Sequence, residues 1–264
     1  MNPQPTVPAS LQPAPLRGPP VLTVEGATKR FGSVLALDDV SVSAQRGEVL
    51  ALLGDNGAGK STLIKCISGV EALDSGTIRL DGEAIAISSP ADARSAGIET
   101  VYQDLALFDN LGPSENFYAG RELSAPAWLP RGLRFLKNRA MDRATRDLLA
   151  RLQVSFHRHD MPVALMSGGQ RQAVAVARAA AFAQKVVILD EPTAALGVRE
   201  QHQVLSLIRR LRDDGNAIIL ITHNMAHVTE LADRAVVMRR GRKVGEMRPS
   251  RENQQEIVSM IIGA

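Results

Sequence analysis

The sequence predicts an α/β fold built around a parallel β-sheet. Val49–Leu53 is a short apolar run without a polar break, which is typical of a strand covered on both faces. A glycine-rich loop follows it directly and leads into a helical segment, Ser61–Ser68. The chain has 264 residues, of which 45% are hydrophobic and 22% are charged, which is enough for one large domain with a complete core.

The composition excludes several classes of protein. The single cysteine, Cys66, excludes an intrachain disulfide and favours a reducing compartment. Apolar stretches such as Val186–Leu189 are far shorter than the roughly 20 residues that a membrane-spanning helix needs. Aromatic residues make up only 3%, and the net charge of +3 comes from mixed signs along the chain, so we expect no nucleic-acid partner.

The order of elements along the chain is consistent with this fold. Residues 1–20 contain seven prolines and no apolar signal segment, so a disordered or extended tail is expected before one domain at 21–264. The predicted strands are Val21–Val24, Val34–Val42, Val49–Leu53, Thr77–Leu80 and Glu83–Ile87 around the Asp81-Gly82 turn, Ile98–Tyr102, Val186–Leu189, Ala217–Thr222, and Val236–Met238 and Lys243–Glu246 around Gly241.

The middle of the chain has a different pattern. Strand patterns disappear from about Asp104 to Met166, and Asp142–Leu152 has three leucines on one helical face. We therefore expect a helical subdomain inserted at about 104–172. Helices are also predicted at Ala173–Ala181 and Glu252–Ile262.

The glycine loop, Gly54–Ser61 (GDNGAGKS), matches the phosphate-binding pattern GxxxxGK[ST] at every fixed position. Glycines let backbone N–H groups surround phosphate oxygens, and the following helix adds its positive end. Lys60 is expected to contact the β- and γ-phosphates, and Ser61 to ligate Mg²⁺. A glycine turn that binds nothing is disfavoured by the strand before the loop and the helix after it. The expected nucleotide contacts here are Gly54, Asn56, Gly57, Ala58, Gly59, Lys60, Ser61 and Thr62.

Three other predicted strands are followed by polar residues. Asp190 and Glu191 follow one strand, Gln103 another and His223 a third. Ligands of open parallel sheets bind at the carboxyl ends of strands, so these residues are expected to converge on the nucleotide, although each alone could be an ordinary loop residue. Successive residues of an extended chain point opposite ways, which predicts that Asp190 holds Mg²⁺ and Glu191 acts on the attacking water.

A second glycine-rich helix start lies at Ser167–Gln172 (SGGQRQ), before the helical stretch Ala173–Ala181. Physical reasoning leaves two interpretations open. The segment is either a second anion site at a helix N-terminus or a serine cap with a tight turn.

Taken together, these motifs resemble the ATP-binding cassette (ABC) family over about residues 21–247. Ser167–Gln170 matches the family's signature motif, with Met166 where leucine is usual. The resemblance implies a P-loop NTPase fold with a RecA-like core, an antiparallel β subdomain and an inserted helical subdomain. It also implies an ATPase that converts ATP and water to ADP and phosphate.

The resemblance further assigns roles to individual residues. Phe31 is then the aromatic residue that stacks on adenine, Gln103 senses Mg²⁺ and couples to a membrane partner, and His223 contacts the γ-phosphate. The signature motif contacts ATP that is held by the other subunit of a head-to-tail homodimer, through Ser167, Gly168, Gly169 and Gln170.

Within the family, three segments resemble the importers of ribose, xylose and fructose. They are Gly97–Gln103 (GIETVYQ), Glu115–Glu122 (ENFYAGRE) and Glu191–Glu200 (EPTAALGVRE). Many of those ATPases are two fused cassettes, and this chain resembles the single-cassette fructose type. One departure is Gly197, which stands where most cassettes place an aspartate that reaches across the dimer interface.

The function implied is an ATPase subunit that energises monosaccharide import. It implies a peripheral position on the cytoplasmic face of the inner membrane, an integral membrane permease as partner, and a periplasmic or extracellular sugar-binding protein as an indirect partner. The alternatives are another cargo (amino acid, lipid or drug), a cassette that acts on nucleic acid or ribosomes, and a regulator that binds nucleotide without hydrolysis. Glu191 and His223 argue against the last of these.

Overall fold

The fold is built on three β-sheets, one of them a two-stranded pair, and eight α-helices within the described residues, 19–126, 135–154 and 161–263 of a computed structural model. Most of the expected N-terminal tail lies outside these residues. The strands are β1 (Leu22–Phe31), β2 (Val34–Ala44), β3 (Val49–Leu53), β4 (Ser75–Leu80), β5 (Glu83–Ile85), β6 (Ile98–Val101), β7 (Ser124–Ala125), β8 (Phe135–Leu136), β9 (Val186–Asp190), β10 (Ala217–Ile221), β11 (Arg234–Arg239) and β12 (Arg242–Met247). The helices are α1 (Lys60–Ile67), α2 (Pro90–Ser95), α3 (Pro113–Tyr118), α4 (Asn138–Arg151), α5 (Gly168–Phe182), α6 (Val198–Asp213), α7 (Met225–Leu231) and α8 (Gln254–Ile262).

The large sheet has six strands in the order β12-β11-β3-β10-β9-β6. β11, β3, β10, β9 and β6 are parallel, and β12 is antiparallel to β11 at the edge. Both faces are covered, which explains why β3 and β10 are buried along their whole length. One face packs against α1 and the small sheet through residues such as Leu52 and Ile188, and the other packs against α5 and α6 through Val187 and Leu189.

The small sheet is antiparallel, in the order β2-β1-β4-β5. β1 is longer than predicted, because its pairing with β2 continues past Gly26 through several register shifts. Those irregularities interrupt the alternation of apolar and polar residues, so the sequence pattern ended at Val24. β4 and β5 form the predicted hairpin, with Asp81 and Gly82 both at positive φ.

The segment between β6 and α5 contains α3, α4 and a 3₁₀ turn at Val163–Leu165. The prediction that strands disappear here was wrong, because β7 and β8 form an antiparallel pair. Two residues per strand are too few to show an alternating pattern. None of the helices within the described ranges is long and apolar enough to cross a membrane.

Candidate active site

Four neighbouring strands of the large sheet end along one edge. β3, β10, β9 and β6 are adjacent and parallel, with Leu52 opposite Ile221 and Ile221 opposite Asp190 in the ladder. Parallel pairing therefore brings together the groups at the four strand ends: the glycine loop, His223, the acids after β9, and Gln103. The edge combines backbone N–H groups, an amine, carboxylates, an imidazole and an amide, a set suited to phosphate chemistry.

The glycine loop fits tightly between β11 and β2. Gly54 has φ 148° and Gly59 has φ 102°, both in the region that favours glycine. A Cβ at Gly54 would overlap the carbonyl oxygen of Met238, and one at Gly59 would lie 2.6 Å from that of Ala36. The N–H of Gly241 donates to the carbonyl of Ala58 at 3.0 Å and fixes the loop from outside. The loop conformation is therefore set by backbone packing.

The amine of Lys60 lies inside the glycine loop. Its Nζ donates to the carbonyl oxygens of Gly54 at 2.8 Å and Asp55 at 3.0 Å. Gly59 is the N-cap of α1 and offers no side-chain cap, so the first N–H groups of α1 have only external acceptors to bind. Ser61, in that first turn, is exposed, and Thr62 is half-buried. An anion in the loop can therefore bind both the ammonium of Lys60 and the first N–H groups of α1.

The two acids after β9 occupy different environments. Asp190 is the last residue of β9, so the strand extends one residue further than predicted. Burial raises the pKa of Asp190, the charge of Glu191 raises it further, and Lys60 opposes both. Glu191 has φ 49°, and its N–H donates to the carbonyl of Ile221 at 2.9 Å. The expectation of an extended chain through both acids was wrong, because the backbone turns at Glu191 to bond β10.

Glu191 and His223 are in direct contact. His223 Nδ1 lies 2.9 Å from Glu191 Oε1, with the imidazole 82% exposed and the carboxylate 17% exposed. The sequence placed both residues at strand ends, but nothing in it indicated that they would touch. The contact gives the carboxylate a fixed orientation at the edge of the sheet.

Gln103 and Phe31 lie at or just after the ends of strands in two different sheets. Gln103 is exposed, two residues after the end of β6, and Tyr102 beside it donates to Ser68 Oγ at the end of α1 at 2.7 Å. Phe31 ends β1 with 44% of its surface exposed, and the ammonium of Lys29 lies 5.4 Å from its ring centre. An exposed ring is available for stacking on a base.

The segment Ser167–Gln170 forms a capping box at the start of α5. Ser167 Oγ accepts from the N–H of Gln170 at 3.2 Å, and Gln170 Oε1 accepts from the N–H of Ser167 at 2.9 Å. Gly169 packs on Glu200 of α6, where a Cβ would lie 2.6 Å from Glu200 Cβ. At Gly197 a Cβ would lie 2.5 Å from Glu200 Oε2. Glu200 occupies the space beside both glycines, a role that the sequence did not indicate although Glu200 ends the segment Glu191–Glu200.

A second histidine, His227, was also missed. It is buried on α7 and bonds Thr193 and Asn224, which are close in sequence to Glu191 and His223. The seven-residue helix α7 was not predicted, so no pattern marked His227 as different from any other histidine.

Comparisons with known proteins show the family of this chain. The family model described as "ABC transporter" matches residues 37–194. The chain is 48% identical to the fructose import ATP-binding protein of Rhizobium meliloti, over 93% of this chain and 95% of that protein. It is 44% identical to the xylose/arabinose import ATP-binding protein of Sulfolobus acidocaldarius, over 91% and 93%. Its identity to a ribose import ATP-binding protein of Rubrobacter xylanophilus is 41%, but the chain spans only 47% of that relative.

Solved structures with the same fold include a nucleotide-free ATP-binding cassette from an ABC transporter. It has a TM-score of 0.79 and 27% identity, over 93% of this chain and all of that one. An ATP-binding cassette of an ABC transporter in its ADP conformation has a TM-score of 0.78 and 27% identity, over 94% of this chain and all of that one.

Proposed function

The chain belongs to the ABC transporter family, and from that premise we propose that it is the ATPase subunit of a monosaccharide importer. Membership confirms the predicted fold, a P-loop ATPase with a mixed α/β architecture. The chain is an ATPase that binds ATP and ADP. The proposal concerns its residues, metal, cargo, partners and location.

The contact between Glu191 and His223 is the observation that carries the catalytic proposal. The glycine loop surrounds the phosphates with N–H groups, and Lys60 neutralises charge on the β- and γ-phosphates. Glu191 Oε1, held by His223, orients the attacking water and accepts its proton. With Nδ1–H directed at the carboxylate, His223 presents Nε2 to the γ-phosphate side of the site. Phe31 stacks on adenine, and Gln103 borders the γ-phosphate from β6.

The residues present fit a bound Mg²⁺. The hydroxyl of Ser61 would ligate Mg²⁺ and the carboxylate of Asp190 would hold it through water, and both are oxygen groups of the kind that Mg²⁺ prefers. When bound, Mg²⁺ neutralises charge on the phosphates. Asp190 is the residue that orients it from the protein side.

The proposed cargo follows from the relatives. Three of them are sugar import ATP-binding proteins, and the one for fructose matches over nearly its whole length. We propose an integral permease as the direct partner and an extracytoplasmic sugar-binding protein as the indirect one. The chain then lies on the cytoplasmic face of the membrane, where ATP is available. Selectivity for the sugar belongs to the partners.

We also propose the division of the chain that the sequence suggested. Residues 21–264 form one ATPase domain, with a helical subdomain at about 104–172. The position of α3 and α4 between β6 and α5 supports this division.

Glu191→Gln tests the catalytic assignment. Glutamine keeps the size of the side chain but cannot accept the proton, so hydrolysis should slow by roughly 10²–10⁴-fold while ATP still binds. Lys60→Ala is the matched control, because it should lose tight ATP binding as well. Single-turnover hydrolysis and equilibrium binding separate the two variants. Hydrolysis by Glu191→Gln within a few-fold of the unmodified protein would place the base elsewhere.

Uptake of labelled fructose, ribose and xylose tests the cargo. Cells that lack this chain should lose uptake of at least one sugar, and the unmodified chain should restore it whereas Glu191→Gln should not. Unchanged uptake of all three sugars would contradict a monosaccharide cargo and favour another class of cargo.

A further inference from the structure

His227 lies in the interior and has a hydrogen-bond partner on each of its two ring nitrogens. It is 7% exposed, with Nδ1 3.1 Å from Thr193 Oγ1 and Nε2 3.3 Å from Asn224 Nδ2. These contacts join α7 to the turn after β9 and to the segment after β10. The histidine therefore bridges the two loops that carry the proposed catalytic residues.

The contacts of Asn224 determine which nitrogen of His227 carries the proton. Asn224 Oδ1 accepts from the backbone N–H groups of Ala226 at 3.0 Å and His227 at 3.4 Å, as the N-cap of α7. Asn224 must then direct its NH₂ group at His227 Nε2, which can only accept. The proton lies on Nδ1 and is donated to Thr193 Oγ1.

The electrostatic surroundings of His227 agree with a neutral ring. Burial lowers the pKa of His227, which favours the uncharged imidazole. The charged groups that act on it are Glu230 and Glu191, which raise the pKa, and His202 and His223, which lower it.

The two bonds of His227 close a ring of contacts around the catalytic pair. Thr193 is two residues after Glu191, and Asn224 follows His223 directly. Glu191 and His223 meet at 2.9 Å on the exposed side, and His227 joins the same two segments on the buried side. Together with the β9–β10 ladder and the bond from the N–H of Glu191 to the carbonyl of Ile221, these contacts restrict the movement of the two segments relative to each other.

We propose that His227 is a positioning residue for ATP hydrolysis, which holds the Glu191 segment against the His223 segment through its Nδ1–H and Nε2. The proposal rests on the catalytic roles proposed above for Glu191 and His223. His227 is buried and acts only through the geometry of that pair. A histidine that merely fills the core would affect folding without a separate effect on turnover.

The test removes one bond without changing the volume of the core. Thr193→Val is nearly isosteric and removes the hydroxyl, while Thr193→Ser keeps it and is the matched control. Thr193→Val should lower kcat by about tenfold, with ATP affinity within about twofold of the unmodified protein, because a small displacement of a catalytic group affects mainly the reaction step. Thr193→Ser should keep most of the activity. Equal kcat in the two variants would overturn the proposal.

A spectroscopic measurement tests the same inference without any variant. Nitrogen NMR of the unmodified chain should show His227 as the neutral Nδ1–H tautomer at pH 7, and a signal for Nε2–H or a charged ring would contradict the proposal. Glu191→Gln in the same kinetic assay separates the role of His227 from that of the base. If Glu191→Gln is slow and Thr193→Val is not, only the role of His227 fails; if Glu191→Gln hydrolyses normally, the proposed base fails.

Discussion

Asp190 shows how the requirements of binding and of stability oppose each other at one residue. The carboxylate is half-buried beside Glu191, and its pKa is raised above the ordinary value of 3.8. A raised pKa in an acid means that the folded protein disfavours the ionised form, so stability falls as the pH rises through that pKa. Metal binding requires the ionised carboxylate of Asp190, and that negative charge therefore lowers the stability of the nucleotide-free protein.

We expect Asp190→Asn to raise the melting temperature of the nucleotide-free protein at pH 7. The increase should shrink as the pH falls below about 4, where aspartate is protonated in the unfolded chain as well. Thermal melting across pH measures this, with Asp147→Asn as a control on the exposed surface of α4. The same variant should weaken the Mg²⁺ dependence of ATP binding. Destabilisation by Asp190→Asn at pH 7 would contradict this expectation.

Gly168 and Gly169 are adjacent but have different surroundings. A Cβ at Gly169 would overlap the side chain of Glu200 near its base, where the side chain cannot swing away, whereas one at Gly168 would lie 3.6 Å from Leu196 Cδ2, an ordinary contact. We expect Gly169→Ala to destabilise the protein by about 1–3 kcal/mol. Gly168→Ala should change stability by less than about 0.5 kcal/mol.

Denaturant unfolding of both variants measures the difference. Glu200→Gly in the Gly169→Ala background should restore part of the loss, because it removes the atoms that the new methyl group meets. Equal stability of the two alanine variants would show that Glu200 does not restrict this position.

At the scale of elements, one buried arginine connects three strands and the residue before a fourth. Arg234 at the start of β11 is paired with Glu48 before β3 at 2.7 Å and with Glu246 of β12, and it donates to the carbonyl oxygen of Ser43 in β2 at 2.5 Å. Its side chain is only 4% exposed. The arginine therefore joins the edge of the large sheet to the small sheet.

Arg234→Leu should destabilise the protein by about 3–5 kcal/mol, because it leaves Glu48 buried without its cationic partner and leaves Glu246 with Lys243 alone. Arg209→Leu is the matched control, since Arg209 pairs with Glu230 on the surface between α6 and α7. That exposed pair should contribute less than about 1 kcal/mol. Denaturant midpoints compare the two variants, and a similar loss in both would contradict a special role for Arg234.

Elements with a strong local signal were predictable from the sequence. β3 and α1 follow from an apolar run and a glycine loop, and the rule that ligands bind at strand ends placed four polar groups at one edge. α6 was missed although its buried Val204, Leu205, Ile208 and Leu211 have helical spacing. α7 has only seven residues, which is too short for such a pattern.

Contacts between side chains were not predictable, because they depend on how separate loops meet in three dimensions. Glu191 and His223 are 32 residues apart in sequence, and Thr193 and His227 are 34 apart. The positive φ of Glu191 also has no signal in the sequence, since acidic residues adopt that conformation only occasionally.

At the scale of the whole molecule, the chain has two glycine-rich helix N-termini, which differ in how they are capped. α1 begins without a side-chain cap, whereas α5 is closed by its capping box. That cap uses the N–H groups of Ser167 and Gln170 and leaves those of the first turn, at Gly168 and Gly169, for an acceptor outside the helix. Ser167 and Gly168 are exposed, so such an acceptor can come from another molecule.

We expect ATP to drive formation of a homodimer in which each Ser167–Gln170 segment meets ATP held by the partner. One two-fold axis then builds two equivalent sites, which is the commonest form of closed assembly. Light scattering on Glu191→Gln with ATP should give twice the chain mass of 28.4 kDa, and the mass of one chain without ATP. In that background Gly168→Asp should remain monomeric, because its carboxylate repels the phosphates, whereas Gly168→Ala should still dimerise. Since Gly168 is exposed, both Gly168 variants should fold. If the Glu191→Gln protein itself stays a monomer at saturating ATP, the shared site is excluded.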